Sequence, residues 1–465
     1  MLTPVRRFLG RLGVDRAIGT TVITRVGQAG SSLILMLLVA SRLSGVKQGY
    51  YVTFNSVVAL QVFFELGLTF VLLQFSSHEV ARLIQQTDGT YQGDYNSKAR
   101  LSSLLHFGTK WYAFAALLLL VVVLPTGYWF FLTSYNKGRT EGWQIPWTIL
   151  VFATAGTLLT NAVIAIFEGC GHVAQVASLR LRETLVGTLA AAFILISGAG
   201  LYAVASLVVC DFLVEALWLY RRRSTILDLW KAYDRTVLVD WKVEVWPFQW
   251  KIAVSWLSGY FIFQIFYPIL FRMVNPVEAG RMGLTTLACS GLTALAMAWI
   301  TTKAPKMGSL IALRKREELD SMFFRAAKSA IGVALVMAIG FWSLVVFAQA
   351  QGVSLALRFL GPLALGLMLI SSTVNCITFA QAQYLRAHKV EPFLLQSVVA
   401  ALSNVGLALL LVGQYGATGV AAGYAFTTIV VGVGGGTYIF TRSRKQWAAK
   451  IADSRPDSGP DGYFS

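Results

Sequence analysis

Twelve apolar stretches, each about long enough to cross a bilayer and joined mostly by short polar turns, fill nearly all of the 465 residues. A span needs roughly 20 apolar residues, because the hydrocarbon core is about 30 Å thick and a helix rises about 1.5 Å per residue. The stretches predict helices from Thr20 to Leu43, Tyr50 to Phe75, Thr109 to Leu132, Trp147 to Phe167, Thr184 to Gly200, Tyr202 to Tyr220, Ile252 to Arg272, Met282 to Thr302, Ser329 to Gln349, Phe359 to Tyr384, Phe393 to Val412 and Thr418 to Phe440. Only Gly198-Ala199-Gly200 separates the fifth from the sixth, which implies a tight hairpin. The chain is 56% hydrophobic and 13% charged, with a mean hydropathy of +0.63. These values exclude a water-soluble domain. The expected fold is all-α: a polytopic membrane protein of about 12 transmembrane helices, in two six-helix bundles around a central cavity.

Orientation follows from Lys and Arg. The segments read as internal hold 30 of the 39 basic residues; Arg42, Lys47, Lys137, Arg139, Arg272, Arg281 and Arg358 fall on the opposite side, and Arg25 and Lys110 inside or at the edge of spans. The positive-inside rule then places both termini of a multi-pass membrane protein in the cytoplasm. The net charge of +17 therefore reports orientation and contact with anionic lipid headgroups, with no nucleic acid implied. Trp111, Tyr112, Trp143, Trp147, Trp246 and Trp250 near span ends read as interfacial anchors.

Cys170, Cys210, Cys289 and Cys376 lie in or near spans without CxxC spacing and read as small hydrophobes. His78, His106, His172 and His388 fall in or beside internal connections, none at ligand spacing with another. No metal and no cofactor is expected. Residues 1–19 read as an amphipathic cytoplasmic segment, with Arg6, Arg7, Arg11 and Arg16 among Val5, Phe8, Leu9 and Leu12. Residues 441–465 read as a cytoplasmic, disordered tail rich in breakers.

The chain also repeats itself. RLSGVKQGYYVTFNSVVALQVFFELGL from Arg42 is similar to RMVNPVEAGRMGLTTLACSGLTALAMA from Arg272, each leading through a short turn to Gly49 or Gly280. The segments from Glu391 and Arg182 echo each other too, each ending in a glycine-flanked turn. Residues 20–220 and 252–440 are thus two six-span bundles of like orientation, joined by a cytoplasmic linker at 221–251. One chain contains both halves, so a monomer is expected.

The turn SGVKQGYY with FELGL, the connection KAPKMGSLIALRKREELDSMFFRAA and the turn GATGVAAGYA resemble the polysaccharide-exporter and O-antigen flippase branch of the MATE-like (multidrug, oligosaccharidyl-lipid, polysaccharide) superfamily. The resemblance implies a bacterial inner-membrane translocator that moves an undecaprenyl-pyrophosphate-linked oligosaccharide to the outer leaflet for surface polysaccharide biosynthesis. Membrane lipids, and a polysaccharide polymerase or ligase, are the partners it implies.

A lipid-linked sugar needs a polar cavity for its headgroup. Candidates are Arg25 and Gln28 on the first span, Asn55 and Gln61 on the second, Asn161 on the fourth, Gln264 on the seventh, Asn375 and Gln381 on the tenth and Asn404 on the eleventh. An Arg in hydrocarbon costs roughly 2.5–3.5 kcal/mol, so Arg25 either faces the cavity or snorkels to headgroups. Lys251 and Arg272 are candidate phosphate contacts, with interfacial anchoring as the other reading. The acids Glu65, Asp211 and Glu168 are candidates for ion coupling, since an intramembrane carboxylate is rare without a role. Glu215 stands one turn from Asp211 and reads as the inner helix end, pairing with Arg221-Arg222-Arg223. Pro125, Pro268 and Pro362 mark kinks, with Pro268 as the preferred hinge.

Four other readings compete, among them a major-facilitator transporter, which shares the six-plus-six layout but whose glycine-aspartate-arginine turn motif the connection Ser76 to His106 lacks. A cation-coupled exporter of small cationic solutes or drugs would want acids such as Glu65 and Asp211. A glycan polymerase or ligase would need a sizeable outer loop, whereas the largest is Thr133 to Pro146; the chain reads as no enzyme. A peptidoglycan-precursor flippase is close in chemistry but has two further spans and more cavity arginines.

Overall fold

A computed structural model of the chain describes residues 16–86, 89–134, 142–313, 315–388 and 393–453. Each of the expected spans falls on a helix. The first half runs α1 (Arg16–Arg42), α2 (Gly45–Val58), α3 (Val62–Glu65), α4 (Leu68–Val80), α5 (Tyr95–Leu118), α6 (Leu124–Thr133), α7 (Gln144–Gly169), α8 (Val173–Ile196) and α9 (Tyr202–Tyr220). A small hairpin, β1 (Leu83–Gln85) against β2 (Tyr91–Gly93), interrupts the connection before α5. The linker holds α10 (Arg223–Lys231). The second half runs α11 (Trp246–Phe263), α12 (Phe266–Met273), α13 (Pro276–Thr301), α14 (Ala304–Ala312), α15 (Arg316–Ala350), α16 (Pro362–Ala387), α17 (Leu394–Thr427) and α18 (Gly436–Asp453).

Among the described residues, eight helices are long and apolar enough to cross a membrane, or nine with the bent pair Gly45–Glu65 and Leu68–Val80 taken as one. Three features separate nine from the expected twelve: on α1 only the apolar stretch Gly30–Arg42 stands out, too short to be counted, and two more lie further along. First, α17 breaks at Gly416 (φ 55°, ψ −137°), where the chain doubles back as a helical hairpin. A Cβ on Gly419 would lie 2.5 Å from the Leu411 carbonyl oxygen, and one on Gly423 2.9 Å from Leu407 Cβ. Second, α8 begins at Val173, not at Thr184, and so carries Arg180, Arg182 and Glu183 within one helix. Gly198 and Gly200, both at positive φ, make the expected tight turn into α9.

Two boundaries move. Pro362 opens α16 at its first turn, where its missing N–H is harmless, so it is not a kink inside a span. The tail expected to be disordered from 441 is helical to Asp453. It is held because Arg444 pairs with Asp320 at 2.5 Å, the Tyr384 hydroxyl donates to Asp320 at 2.7 Å, and Trp447 stacks on His388 at 4.0 Å. Beyond 453, and before Arg16, the expected tail and amphipathic segment lie outside the described residues.

The two halves meet where α2 crosses α13. Gly49 and Gly280, equivalent positions of the sequence repeat, face one another: a Cβ on Gly280 would lie 2.9 Å from the Gly49 nitrogen, and one on Gly49 would collide with the Pro276 carbonyl. Beside them a fully buried aromatic cluster seals this end of the molecule. Tyr50 meets Phe271 at 4.8 Å across the halves and Phe131 at 5.5 Å. Edge-on ring pairs of this kind contribute roughly 0.5–1.5 kcal/mol beyond their buried area.

The linker is strapped along α5. Lys98 pairs with Asp228 at 2.9 Å, the Tyr95 hydroxyl donates to Asp234 at 2.7 Å, His106 stacks on Trp230 at 3.7 Å and Phe107 on Trp241 at 3.6 Å. Arg100 reaches Glu79 at 2.8 Å and forks onto both oxygens of Glu244 at 2.6 and 3.3 Å. That guanidinium holds the Glu244 carboxyl below its usual range.

Gly49→Ala should force α2 from α13 and lower the melting temperature of the purified protein, by an overpacking cost of about 1–3 kcal/mol. Gly291→Ala, on α13 but with open space around it, should leave it unchanged. Because the native pKa of Glu244 is depressed, its contribution is full above the ordinary carboxylate pKa and is lost as pH falls through the native value. Pepsin cleavage of the linker, measured relative to an unfolded substrate in the same digest, should therefore rise as pH falls from about 5 to about 3, and Arg100→Gln should remove that relative rise.

Candidate functional site

The polar residues gather in three places. The first is a charged cluster inside the first half. No Gly or Pro interrupts residues 173–186, so helical spacing carries Arg180 and Glu183 onto one face of α8, opposite α9. Arg180 Nη1 donates to Glu183 Oε2 at 3.1 Å and to Glu215 Oε1 at 2.8 Å, and Nη2 to Asn161 Oδ1 at 3.4 Å. The Thr160 hydroxyl contacts the other oxygen of Glu215. It also reaches the Thr157 carbonyl at 2.8 Å, so its one proton serves either acceptor. Glu215 is 1% exposed and Glu183 5%, and Glu183 Oε1 is buried without a partner. Asp211 is half-buried one turn before Glu215, with Glu183 and Arg180 as its charged neighbours. Glu215 therefore pairs with Arg180, not with the 221–223 arginines. Glu168 is half-buried at the end of α7, where Gly171 (φ 91°) turns the chain.

The second is a pair of helix breaks facing each other across the halves. After Glu65 the chain passes through Leu66 (φ 49°) and Gly67 (φ 68°), bending α2–α3 from α4 by 46°. Leu66 is a bulky residue in the left-handed region, a costly conformation. Trp111 Nε1 donates to the Phe64 carbonyl at 2.9 Å, and a Cβ on Gly67 would lie 2.5 Å from Ile252 Cγ2 on α11. Glu65 is 7% exposed, with no ion pair or hydrogen bond among the described residues. Opposite, α11 stops at Phe263 and α12 restarts at Phe266. Pro268 has no N–H to give the Gln264 carbonyl, which accepts instead from Ser56 Oγ at 2.7 Å, across the halves. Asn404 Nδ2 donates to the Phe261 and Ile262 carbonyls at 2.8 and 3.3 Å.

The third is a cavity of about 280 Å³ inside the second half, lined by Thr286, Ser290, Thr293, Ser372, Asn375 and Tyr424 among others. Asn375 Nδ2 donates to the Tyr424 hydroxyl at 2.9 Å, and Thr293 and Ser372 share a hydrogen bond at 2.6 Å. On the other side of α16 lies an apolar groove of about 760 Å³ against α15, lined by Leu335, Ile339, Trp342, Leu363 and Ile370.

The expected cavity residues divide accordingly. Asn375 lines the cavity of the second half and Asn161 joins the charged cluster. Asn404 and Gln264 belong to the break in the seventh span. Gln381 is buried and donates to Thr437 at 2.9 Å, which ties α16 to α18. Gln61 is half-buried just before the Glu65 break, with its Oε1 unpartnered. Asn55 is exposed and bonds the Tyr51 carbonyl, and Gln28 is half-buried on α1. The Arg25 side chain lies outside the described residues. Arg272 is exposed, over the Trp129 ring at 5.0 Å, and donates to Thr133 at 3.2 Å; Lys251 is exposed beside Trp250. The sequence reading missed Arg180 and Glu183, because charges ahead of an apolar run were taken for a connection, and Thr160, because a hydroxyl inside an apolar span does not show its partner. All four cysteines are free, and no cluster among the described residues could hold a metal.

No family model and no curated protein matches the chain. Solved structures do. The lipid II flippase MurJ, in an inward closed conformation, aligns with a TM-score of 0.64 at 13% identity, over 91% of this chain and 87% of that one. An inward-facing multidrug resistance MATE family transporter of the MOP superfamily aligns at 0.57 and 15% identity, over 90% and 99%. A MOP superfamily transporter from Pyrococcus furiosus Vc1 (DSM3638) aligns at 0.54 and 14%, over 92% and 95%. The chain is an all-α, multi-pass membrane protein with the fold these transporters share.

Removing one partner of a buried ion pair strands the other, at a cost of about 3–5 kcal/mol. Arg180→Leu should cost about 3 kcal/mol, the low end, because its side chain is 37% exposed. Adding Glu215→Leu should recover part of that loss in a thermal melt. Ser56→Ala leaves the Gln264 carbonyl without its strongest partner, and should cost about 1–3 kcal/mol by the same measurement.

Proposed function

We propose that the chain translocates a lipid-linked oligosaccharide across a bacterial inner membrane, by alternating access between its two halves. The observation that carries this reading is the two-sided environment of α16. Hydroxyls and an amide stand among apolar side chains around the cavity on one side, and the groove on the other is almost wholly apolar. An amphiphile with a sugar headgroup and a long hydrocarbon tail fits both. The neutral donors and acceptors around Asn375 suit sugar hydroxyls, and the groove suits a prenyl chain. The fold shared with a lipid II flippase supports the same chemistry. The expected carrier is undecaprenyl pyrophosphate, with both termini cytoplasmic, a monomer as the working unit, and the products passed to a polysaccharide polymerase or ligase.

Residues 20–220 and 252–440 act as the two bundles, and Pro268 with its break as the hinge. Glu65, Asp211 and Glu168 are the proposed ion-coupling acids. The charged cluster supports this: around one guanidinium stand Glu183, Glu215 and Asp211, an acid excess that binding of a cation or proton would relieve. The same excess supports a second reading, cation-coupled export of small cationic solutes.

Proteoliposomes decide between them. Flipping of a fluorescent, short-chain prenyl-pyrophosphate disaccharide should be seen as loss of protection from a membrane-impermeant quencher. Asn375→Ala should slow it by roughly fivefold, the worth of about one hydrogen bond. Glu65→Gln should abolish any dependence on an imposed ion gradient. Transport of a cationic dye in place of the prenyl-linked sugar would transfer the assignment to small-solute export.

A further inference from the structure

At the end of the molecule sealed by the glycine crossing, a pocket of about 250 Å³ lies between the two halves. Gly45 and Gln48 of α2 form one wall, Val277 and Arg281 of α13 another, and Ser354 and Arg358 of the 351–361 connection the third. Gln48 is 1% exposed. Its Nε2 donates to the Arg358 carbonyl at 3.5 Å, but its Oε1 is buried with no donor facing it. An orphaned buried acceptor of this kind costs roughly 1–3 kcal/mol. Arg281 is only partly engaged: Nη1 pairs with Glu278 at 2.7 Å and Nε donates to the Leu357 carbonyl at 3.1 Å. The Arg358 guanidinium is half-buried and has no ion pair or hydrogen bond among the described residues. With Glu278 counted against Arg281, the pocket keeps one positive charge in excess beside one unfilled acceptor.

We propose that this pocket binds a phosphate ester that carries a free hydroxyl, such as a glycerophosphate headgroup. The phosphate would lie on the planar donor fork of Arg358 and on Arg281 Nη2, the nitrogen its two bonds leave unused. The hydroxyl would donate to Gln48 Oε1. Both halves supply walls, so any motion that opens this end pulls Gln48 from the two arginines and dismantles the site. Binding is therefore linked to closure: the ligand favours the closed arrangement by its difference in affinity for the two states. The site is distinct from the α16 cavity, and stands whether the cargo is a lipid-linked sugar or a small cation.

The test uses the full chain in nanodiscs of phosphatidylcholine, with glycerol 3-phosphate or inorganic phosphate titrated against the melting temperature. A parallel set of discs contains phosphatidylglycerol. A saturable rise with glycerol 3-phosphate, or a rise confined to phosphatidylglycerol discs, supports the site and identifies its source as a soluble ester or a lipid headgroup. Arg358→Gln should weaken the effect at least tenfold, and Arg358→Lys should restore part of it. Gln48→Leu should erase the preference for glycerol 3-phosphate over inorganic phosphate while leaving the fold intact, since an apolar side chain has no orphaned oxygen. Thiol labelling of Val52→Cys, which packs against Gly283 at the crossing, should slow in step with occupancy. No stabilisation in either kind of disc, or equal stabilisation of wild type and Arg358→Gln, would overturn the proposal.

Discussion

In hydrocarbon a backbone carbonyl has no water to turn to, and an unpaired one costs several kcal/mol. The irregular points of this protein are organised by that constraint, because helix breaks in both halves are met by a side-chain donor from another element. Trp111 serves Phe64, Ser56 serves Gln264, and Asn404 serves Phe261 and Ile262. Gln396 does the same for the Val431 and Gly432 carbonyls in the π-helical stretch Thr428–Gly435. Trp147 reaches the Leu124 carbonyl, beside Pro125 and the π-helical stretch Leu119–Val123. A break so capped is a fixed geometric feature, and the chain can bend there without exposing backbone to lipid.

Two of these caps join the halves or stand beside their junction. Ser56 belongs to the first half and Gln264 to the second, so the bond between them exists only while α2 and the seventh span stay together. The glycine crossing a few turns away works in the same sense: backbone atoms approach at a distance that a single methyl would forbid. The halves thus meet through the Ser56 bond, the glycine crossing and the aromatic cluster around Tyr50 and Phe271, while the charged cluster of Arg180, Glu183 and Glu215 lies inside one half.

The spans were legible because long apolar runs admit few other structures in a chain of this composition, and the hairpin turns because glycine marks them. The repeat also carried spatial information: Gly49 and Gly280 aligned in sequence and proved to touch. The charged cluster was hidden by the same rule that revealed the spans. Arg180 and Glu183 lowered the local hydropathy, so the fifth span was begun eleven residues late, at Thr184 in place of Val173. The break after Glu65 was hidden for a different reason, since a single Gly67 in an apolar run rarely ends a helix and Leu66 gives no sign of a left-handed conformation. Asn404 and Gln381 were read as cavity amides because polarity inside a span does not say whether the partner is a ligand or a neighbouring helix; here the partners are backbone at a break and Thr437.

The charged start of α8 has a consequence for how the protein enters its membrane. Three ionised side chains within four positions each carry an insertion cost of roughly 2.5–3.5 kcal/mol at the centre of a lone helix, more than its remaining residues readily offset. Its neighbour α9 is far more apolar, holds the matching Glu215, and follows after the turn of Gly198 to Gly200. Synthesis delivers the two helices in immediate succession, so α8 has its partner at hand almost as soon as it leaves the ribosome. The pair should cross into lipid as a single hairpin with its ion pair already made, and lengthening that turn would penalise biogenesis before it touched the folded state.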